Sequence, residues 1–284
     1  MRPHVELIQE DDYIWHPAEI TKGEGRAIQR NLSVDEEDGS ASTRVDFLSD
    51  FGKPAGIHHA DTEWFVLEGE VSIGDTTMGP GGYFWAGRGV WTPHVKAKEG
   101  SKILLYREYN DWGFDATDVP VSTPGTTESL IIDDTGKREW EPVVKAGPAL
   151  GLWIKMLHRD PETGFYSRLI WAEPGWTDHR LAHHHCYEEA YTIAGEMVYN
   201  FGDLLQGTYF FRPGFVKHGH FISGEQDGCT WLIRSDGDLV NMYTINERVE
   251  VHGEALNYGE HEKPILSSLP LRSRTTGPWS GDGM

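Results

Sequence analysis

The chain has 284 residues, room for one large or two ordinary domains, and its 11 Trp, 11 Tyr and 11 Phe mark a folded chain rather than a disordered one. Its net charge of −20 repels phosphate backbones and anionic bilayers, which excludes broad nucleic-acid binding and disfavours a membrane surface. Two cysteines, Cys186 and Cys229, are too few for a disulfide framework and form no C-x-x-C pattern. The opening MRPHVELIQEDDYIW has no apolar signal region, and no apolar run approaches the ~18 residues of a membrane span, so the expected compartment is the cytoplasm.

In chain order, RAIQRNLSVDEEDGSASTRVDFL (26–48) predicts a hairpin with a long acidic tip. EWFVLEGEVSI (63–73) carries aromatic and β-branched residues at strand frequency and breaks at Gly69. KILLYRE (102–108) reads as another strand, and DATDVPVSTPGTTES (115–129), rich in Pro, Ser and Thr, as a linker or exposed loop. GLWIKMLHRDPETGFYSRLIW (151–171) predicts two strands about an Asp-Pro-Glu-Thr-Gly turn. EAYTIAGEMVY (189–199) repeats the strand-Gly-strand pattern, and from about residue 254 periodicity fades into an irregular tail. No segment holds a 3.6-residue apolar period over three turns, so the expected class is all-β.

The chain also contains itself twice. HHADTEWFVLEGEVSIGDTTMGPGGYF (58–84) aligns without a gap on HHCYEEAYTIAGEMVYNFGDLLQGTYF (184–210) at an offset of 126 residues. His58 meets His184, Glu63 meets Glu189, Gly69 meets Gly195 and, further on, His94 meets His220. KILLYRE and TWLIRSD (230–236) close the two copies, slipped by about one residue. The expected division is 1–120 and 121–284.

PGWTDHRLAHHHCYEEAYTIAG (174–195) and GTYFFRPGFVKHGH (207–220) resemble the two motifs of the cupin superfamily, the first of form G(X)5HXH(X)3–4E(X)6G, the second a Pro-Gly followed after a short turn by a His. FGKPAGIHHADTEWFVLEG (51–69) and PGGYFWAGRGVWTPH (80–94) are their N-terminal counterparts. The chain is thus similar to RmlC-like bicupins, including ChrR-like and dioxygenase-type members. The resemblance implies two double-stranded β-helix (jelly-roll) barrels in tandem and a divalent transition metal, iron(II) before zinc, manganese or nickel.

Imidazole and carboxylate together suit such a metal. Counting back from Gly195 selects Glu188 and His184, with His220 from the distant strand and His183 as fourth ligand. The other register uses His185 and Glu189. His218 is read as a solvent-facing loop residue, with a pocket-lining role as its alternative. Tyr191 and Tyr209 are expected to face the metal cavity as catalytic groups. Arg168 and Arg234 lie in expected strands, where an outward side chain is commoner, although an inward one would hold a carboxylate substrate. In the N-terminal copy the preferred register leaves His58 and His94, and the other His59, Glu63 and His94; an empty or weak site is expected there.

The resemblance implies an iron(II) dioxygenase acting on a small organic, enolisable or aromatic substrate. The alternatives are a zinc or manganese Lewis-acid enzyme (isomerase, decarboxylase or hydrolase) and a non-catalytic sensor. A small-molecule partner, no nucleic acid, no membrane and a homodimer complete the expectations.

Overall fold

The computed structural model describes residues 2–18, 20–108, 113–126, 130–143, 151–161 and 163–244, with short strands at Glu250–Val251 and Glu254–Ala255. Most of the tail expected to be irregular lies outside the described residues. Regular structure among them is β, apart from one-turn 3-10 helices at Glu10–Asp12 and Thr135–Lys137. No helix among the described residues is long and apolar enough to cross a membrane. Two compact units emerge, one holding Glu10–Arg138 and the other His4–Gln9 with Glu139–Trp279.

The first unit is built on a seven-stranded sheet. Its order is Leu130–Asp134, Gly82–Ala86, Asp61–Glu68, Lys102–Glu108, Ala41–Phe47, Ala27–Val34 and His16–Pro17. A four-stranded sheet of Phe51–Lys53, Val95–Ala97, Val71–Ile73 and Thr76–Met78 shares a core with it, in which Val45, Trp64, Phe84 and Leu105 meet Val71, Ile73 and Val95. Alternation sets this packing, since successive side chains point to opposite faces of a strand. The acidic hairpin forms as Ala27–Val34 against Ala41–Phe47. The Pro- and Thr-rich stretch belongs to this unit: Asp115 pairs with Ile57, Thr123 N donates to Gly89 O, and Leu130–Asp134 is the edge strand beside Gly82–Ala86.

The second unit repeats the plan. Leu152–Arg159 and Tyr166–Ala172 form the expected hairpin, and Tyr166–Ala172 pairs onward with Cys229–Ser235. The 12-residue strand Glu188–Tyr199 organises the rest. Its first half lies between Thr208–Arg212 and Cys229–Ser235, and its second half pairs with Gly202–Leu205 and His218–Ser223. The passage from one set of partners to the other occurs at a bulge between Thr192 and Ala194, followed by Gly195 at φ 73°. A Cβ at Gly195 would lie 2.1 Å from the carbonyl oxygen of Gly228, so only glycine lets the two chains approach there. Val5–Gln9, from the far N-terminus, adds to the Thr208–Arg212 edge of this unit.

The pairing registers show that the duplication is structural. Thr92 opposes Gly56 as His218 opposes Ala182, and Ala86 opposes Thr62 as Arg212 opposes Glu188, all at the 126-residue offset. In the closing strands Tyr106 opposes Glu63 as Arg234 opposes Glu189, so the slip is two residues rather than about one.

Candidate metal centre

Three side chains converge inside the second unit. His184 follows the Thr177–His183 strand, Glu188 opens the long strand, and His218 opens His218–Ser223. Their ligand atoms all lie within 4.8 Å of one another, and all three residues are buried. His218 Nε2 is 3.3 Å and His184 Nε2 3.5 Å from Glu188 Oε2. Each Nδ1 is committed to a backbone carbonyl, His184 to Cys186 O at 2.9 Å and His218 to Val216 O at 2.9 Å. A ring that donates from Nδ1 presents the lone pair of Nε2, the tautomer a metal needs. His184 Nε2 is buried with no hydrogen-bond partner among the described residues. Ligands at about 2.0–2.2 Å from one cation stand roughly 3.0–3.5 Å apart, so the two imidazole–carboxylate separations fit a shared metal.

The electrostatics say the same. Burial favours neutral Glu188, yet His218, His184 and Arg212 outweigh it and hold its pKa far below the carboxylate range. Burial opposes charge on His184, but its contacts with Cys186 and the Glu188 carboxylate beside it push its pKa up to about 10. Burial, with Arg212, pushes His218 down to about 4 despite Glu188.

Arg212 is the support of the carboxylate. It lies directly across the strand pair from Glu188 and donates to Oε2 at 2.9 Å. Its other edge grips Glu6, from the N-terminal strand, at 2.7 and 2.9 Å. The Tyr199 hydroxyl donates to the same Glu6 carboxylate. A cavity of about 230 Å³ adjoins the group, with Glu188, Arg212 and His218 in its wall beside Trp231, Ile233 and Phe221.

The other expected site residues lie elsewhere. His220, expected as the distant ligand, packs on His179 with Nδ1 atoms 3.4 Å apart, and His218 stands in its place in the group. Simple alternation would put residues 218 and 220 on one face. The backbone breaks it, because Gly219 has φ 148° and His220 φ 57°. His218 is therefore buried in the cavity wall, not a loop residue in solvent. The sequence signal was present, since His218 is the first histidine after Pro213-Gly214. His183 is half-buried with its ring 6.3 Å from that of Phe215, and His185 is exposed against the same phenyl ring. Of the three consecutive histidines only the middle one enters the group.

Glu189, Tyr191 and Tyr209 occupy the opposite strand face from Glu188. Glu189 is bound by Arg234 at 2.7 Å and by the Tyr209 hydroxyl at 2.8 Å, and Tyr191 stands directly across from Tyr209. None of these side chains lines the cavity. Period-2 geometry accounts for this: a step from 188 to 189 crosses the sheet.

In the first unit the equivalent positions are His58, Thr62 and Thr92. The carboxylate and one imidazole are missing. Burial, Lys53 and Arg107 hold the His58 pKa well below 6.5. His94 is exposed, and His59 pairs with Asp115 at 3.0 Å. Glu63 is fully buried opposite Trp85 and Tyr106, as Glu189 is opposite Phe211 and Arg234.

A search of curated proteins finds no match. Solved structures do resemble the chain. A presumed dioxygenase from Nostoc punctiforme PCC 73102 matches at 18% identity and a TM-score of 0.68, over 87% of this chain and 84% of its own. The Escherichia coli protein YlbA, of the family model DUF861, matches at 17% identity and a TM-score of 0.56, over 83% and 92%. Bacillus subtilis oxalate decarboxylase, described with Mn(II) centres, matches at 15% and 0.54, over 84% and 79%. At these identities the likeness shows the fold, which is that of the cupins. A family model described as "Domain of unknown function (DUF4437)" matches residues 6–242, most of the length, and the chain belongs to that family.

Proposed function

We propose that the second unit is a mononuclear metal-dependent enzyme, a non-haem iron(II) dioxygenase acting on a small organic substrate. The observation that carries this reading is two imidazoles and one carboxylate meeting beside a cavity, the ligand set associated with iron(II) oxygenases that keep open positions. Bound there, iron(II) would supply a meeting point for substrate and O₂ and donate electron density to the latter. His184 and His218 are held in one tautomer by their carbonyl partners, so their Nε2 atoms face the centre without reorganisation. Glu188 supplies the negative charge, and Arg212 fixes its orientation. The apolar part of the wall, with Trp231, Ile233 and Phe221, would lower the polarity around the reacting groups.

A redox-inert reading, with zinc or manganese as a Lewis acid on an enolisable substrate, is favoured by one observation. The Arg168 guanidinium lines the same cavity with no carboxylate partner among the described residues, and is placed to stabilise developing negative charge. Elemental analysis of the purified protein, followed by O₂ uptake with diketones, catechols and keto acids, separates the two. Iron with substrate-dependent uptake is expected. Zinc or manganese with no uptake would overturn the dioxygenase reading in favour of the second.

A further inference from the structure

Among the described residues three arginines line the cavity, and two are already committed. Arg180 is clamped by Asp178 at 2.8 and 2.7 Å, and Arg212 by Glu6 and Glu188. Arg168 differs. It sits mid-strand between Met156 and Ile233, so alternation turns it inward with Ile170. Its guanidinium rests 4.6 Å from the centre of the Tyr166 ring. Its Nε is buried with no hydrogen-bond partner, and among the described residues no carboxylate lies within ion-pair reach of it. Trp176 lines the same cavity, and its Nε1 is likewise buried without a partner. Among the described residues, the two unpaired polar atoms of the wall are therefore donors. A buried donor without an acceptor carries a desolvation penalty that a ligand can relieve, and an unpaired guanidinium is relieved best by an anion.

We propose that this cavity binds a small carboxylic acid with an apolar body, its carboxylate gripped by Arg168 and accepting from Trp176. A planar guanidinium matches a carboxylate bidentately. The walls of Trp231, Ile233 and Phe221 suit a hydrocarbon or aromatic body. The volume of about 230 Å³ lies below the usual range of about 300–1,000 Å³ for drug-sized ligands, which sets the scale at a single ring or short chain. The inference rests on reading the cavity as the active site and names the substrate class for it.

The test is titration calorimetry of the purified full chain with benzoate, phenylacetate and heptanoate, each against its neutral amide. At least one acid is expected to bind tenfold or more tightly than its amide. Arg168→Gln is expected to weaken that acid by about tenfold to a hundredfold, the range for hydrogen bonds to charged groups, while leaving the amide within twofold. Arg168→Lys should restore part of the preference and Trp176→Phe remove part of it. Equal binding of acid and amide by the unmodified protein, binding of neither, or a preference that survives in Arg168→Gln would overturn the proposal. The acid–amide comparison on the unmodified protein does not depend on any variant folding. Metal content measured on the same samples separates the two readings. Acid preference without bound metal sinks the metal enzyme and keeps the anion site, whereas bound metal without acid preference does the reverse.

Discussion

At the scale of single residues, the candidate centre turns on which histidine a local backbone distortion admits. His218 and His220 are two positions apart, and left-handed backbone at Gly219 and His220 sends only His218 toward Glu188. His218→Ala is expected to lower metal affinity by at least a hundredfold, and His220→Ala by less than tenfold, measured by competition with a chromogenic chelator. Comparable losses at both positions would mean that His220 reaches the metal after all. In the first unit His58 is a buried neutral imidazole, its pKa held well below 6.5 by burial, Lys53 and Arg107. The unfolded chain takes up a proton below pH 6.5 that the folded one refuses. Stability is therefore unaffected above that pH and declines as pH falls toward the folded pKa, by at most about 1.4 kcal/mol per pH unit. Denaturation at pH 7.5 and 5.5 should show this acid loss, reduced in His58→Gln. Parallel pH dependence in both proteins would remove His58 as its source.

At the scale of elements, the strand Val5–Gln9 matters more than its distance along the chain suggests. It carries Glu6 to Arg212, and Arg212 holds Glu188. Burial works against the Glu6 charge, but Arg212, Tyr199 and His4 keep its pKa below the usual carboxylate value. Glu6→Gln is expected to cost about 1.5–3 kcal/mol in urea denaturation, the value of hydrogen bonds to a charged group. It should also weaken metal binding, because an uncompensated Arg212 repels a dication and draws Glu188 away. Full retention of metal affinity would show that Arg212 acts independently of the N-terminal strand. The long strand has its own requirement at Gly195, with φ 73° and Gly228 O 2.1 Å from a built Cβ. Gly195→Ala should cost at least roughly 1–2 kcal/mol from the left-handed conformation alone, more from the clash. A thermal midpoint equal to that of the parent protein would contradict this.

At the scale of the whole molecule, duplication has left two copies of one plan with different chemistry. Thr62 and Thr92 stand where the second copy has Glu188 and His218, and Ala86 stands where it has Arg212. One metal ion per chain is expected by elemental analysis. Its removal by chelation should reduce hydrogen-exchange protection in Glu188–Tyr199 and leave Asp61–Glu68 unchanged. Metal at a hundredfold excess over its dissociation constant would stabilise the second unit by about 2.7 kcal/mol. Two ions per chain, or equal losses of protection in both strands, would count against this division of roles.

Strand-forming segments, the hairpins, the repeat and the glycine breaks were legible in the chain itself, because alternation, turn chemistry and self-similarity are local properties of a one-dimensional string. So was the chemical richness of the stretch from His183 to Glu189. Which of its members share a space was not legible. The Glu188 face of the strand differs from the Glu189 face by one residue, and His218 differs from His220 by two left-handed backbone angles. Glu6 and Arg212 meet across most of the chain only because strand pairing brings distant edges together. Side-chain convergence depends on bulges, register and sheet closure, which are products of packing in three dimensions, and there the tertiary structure alone decided.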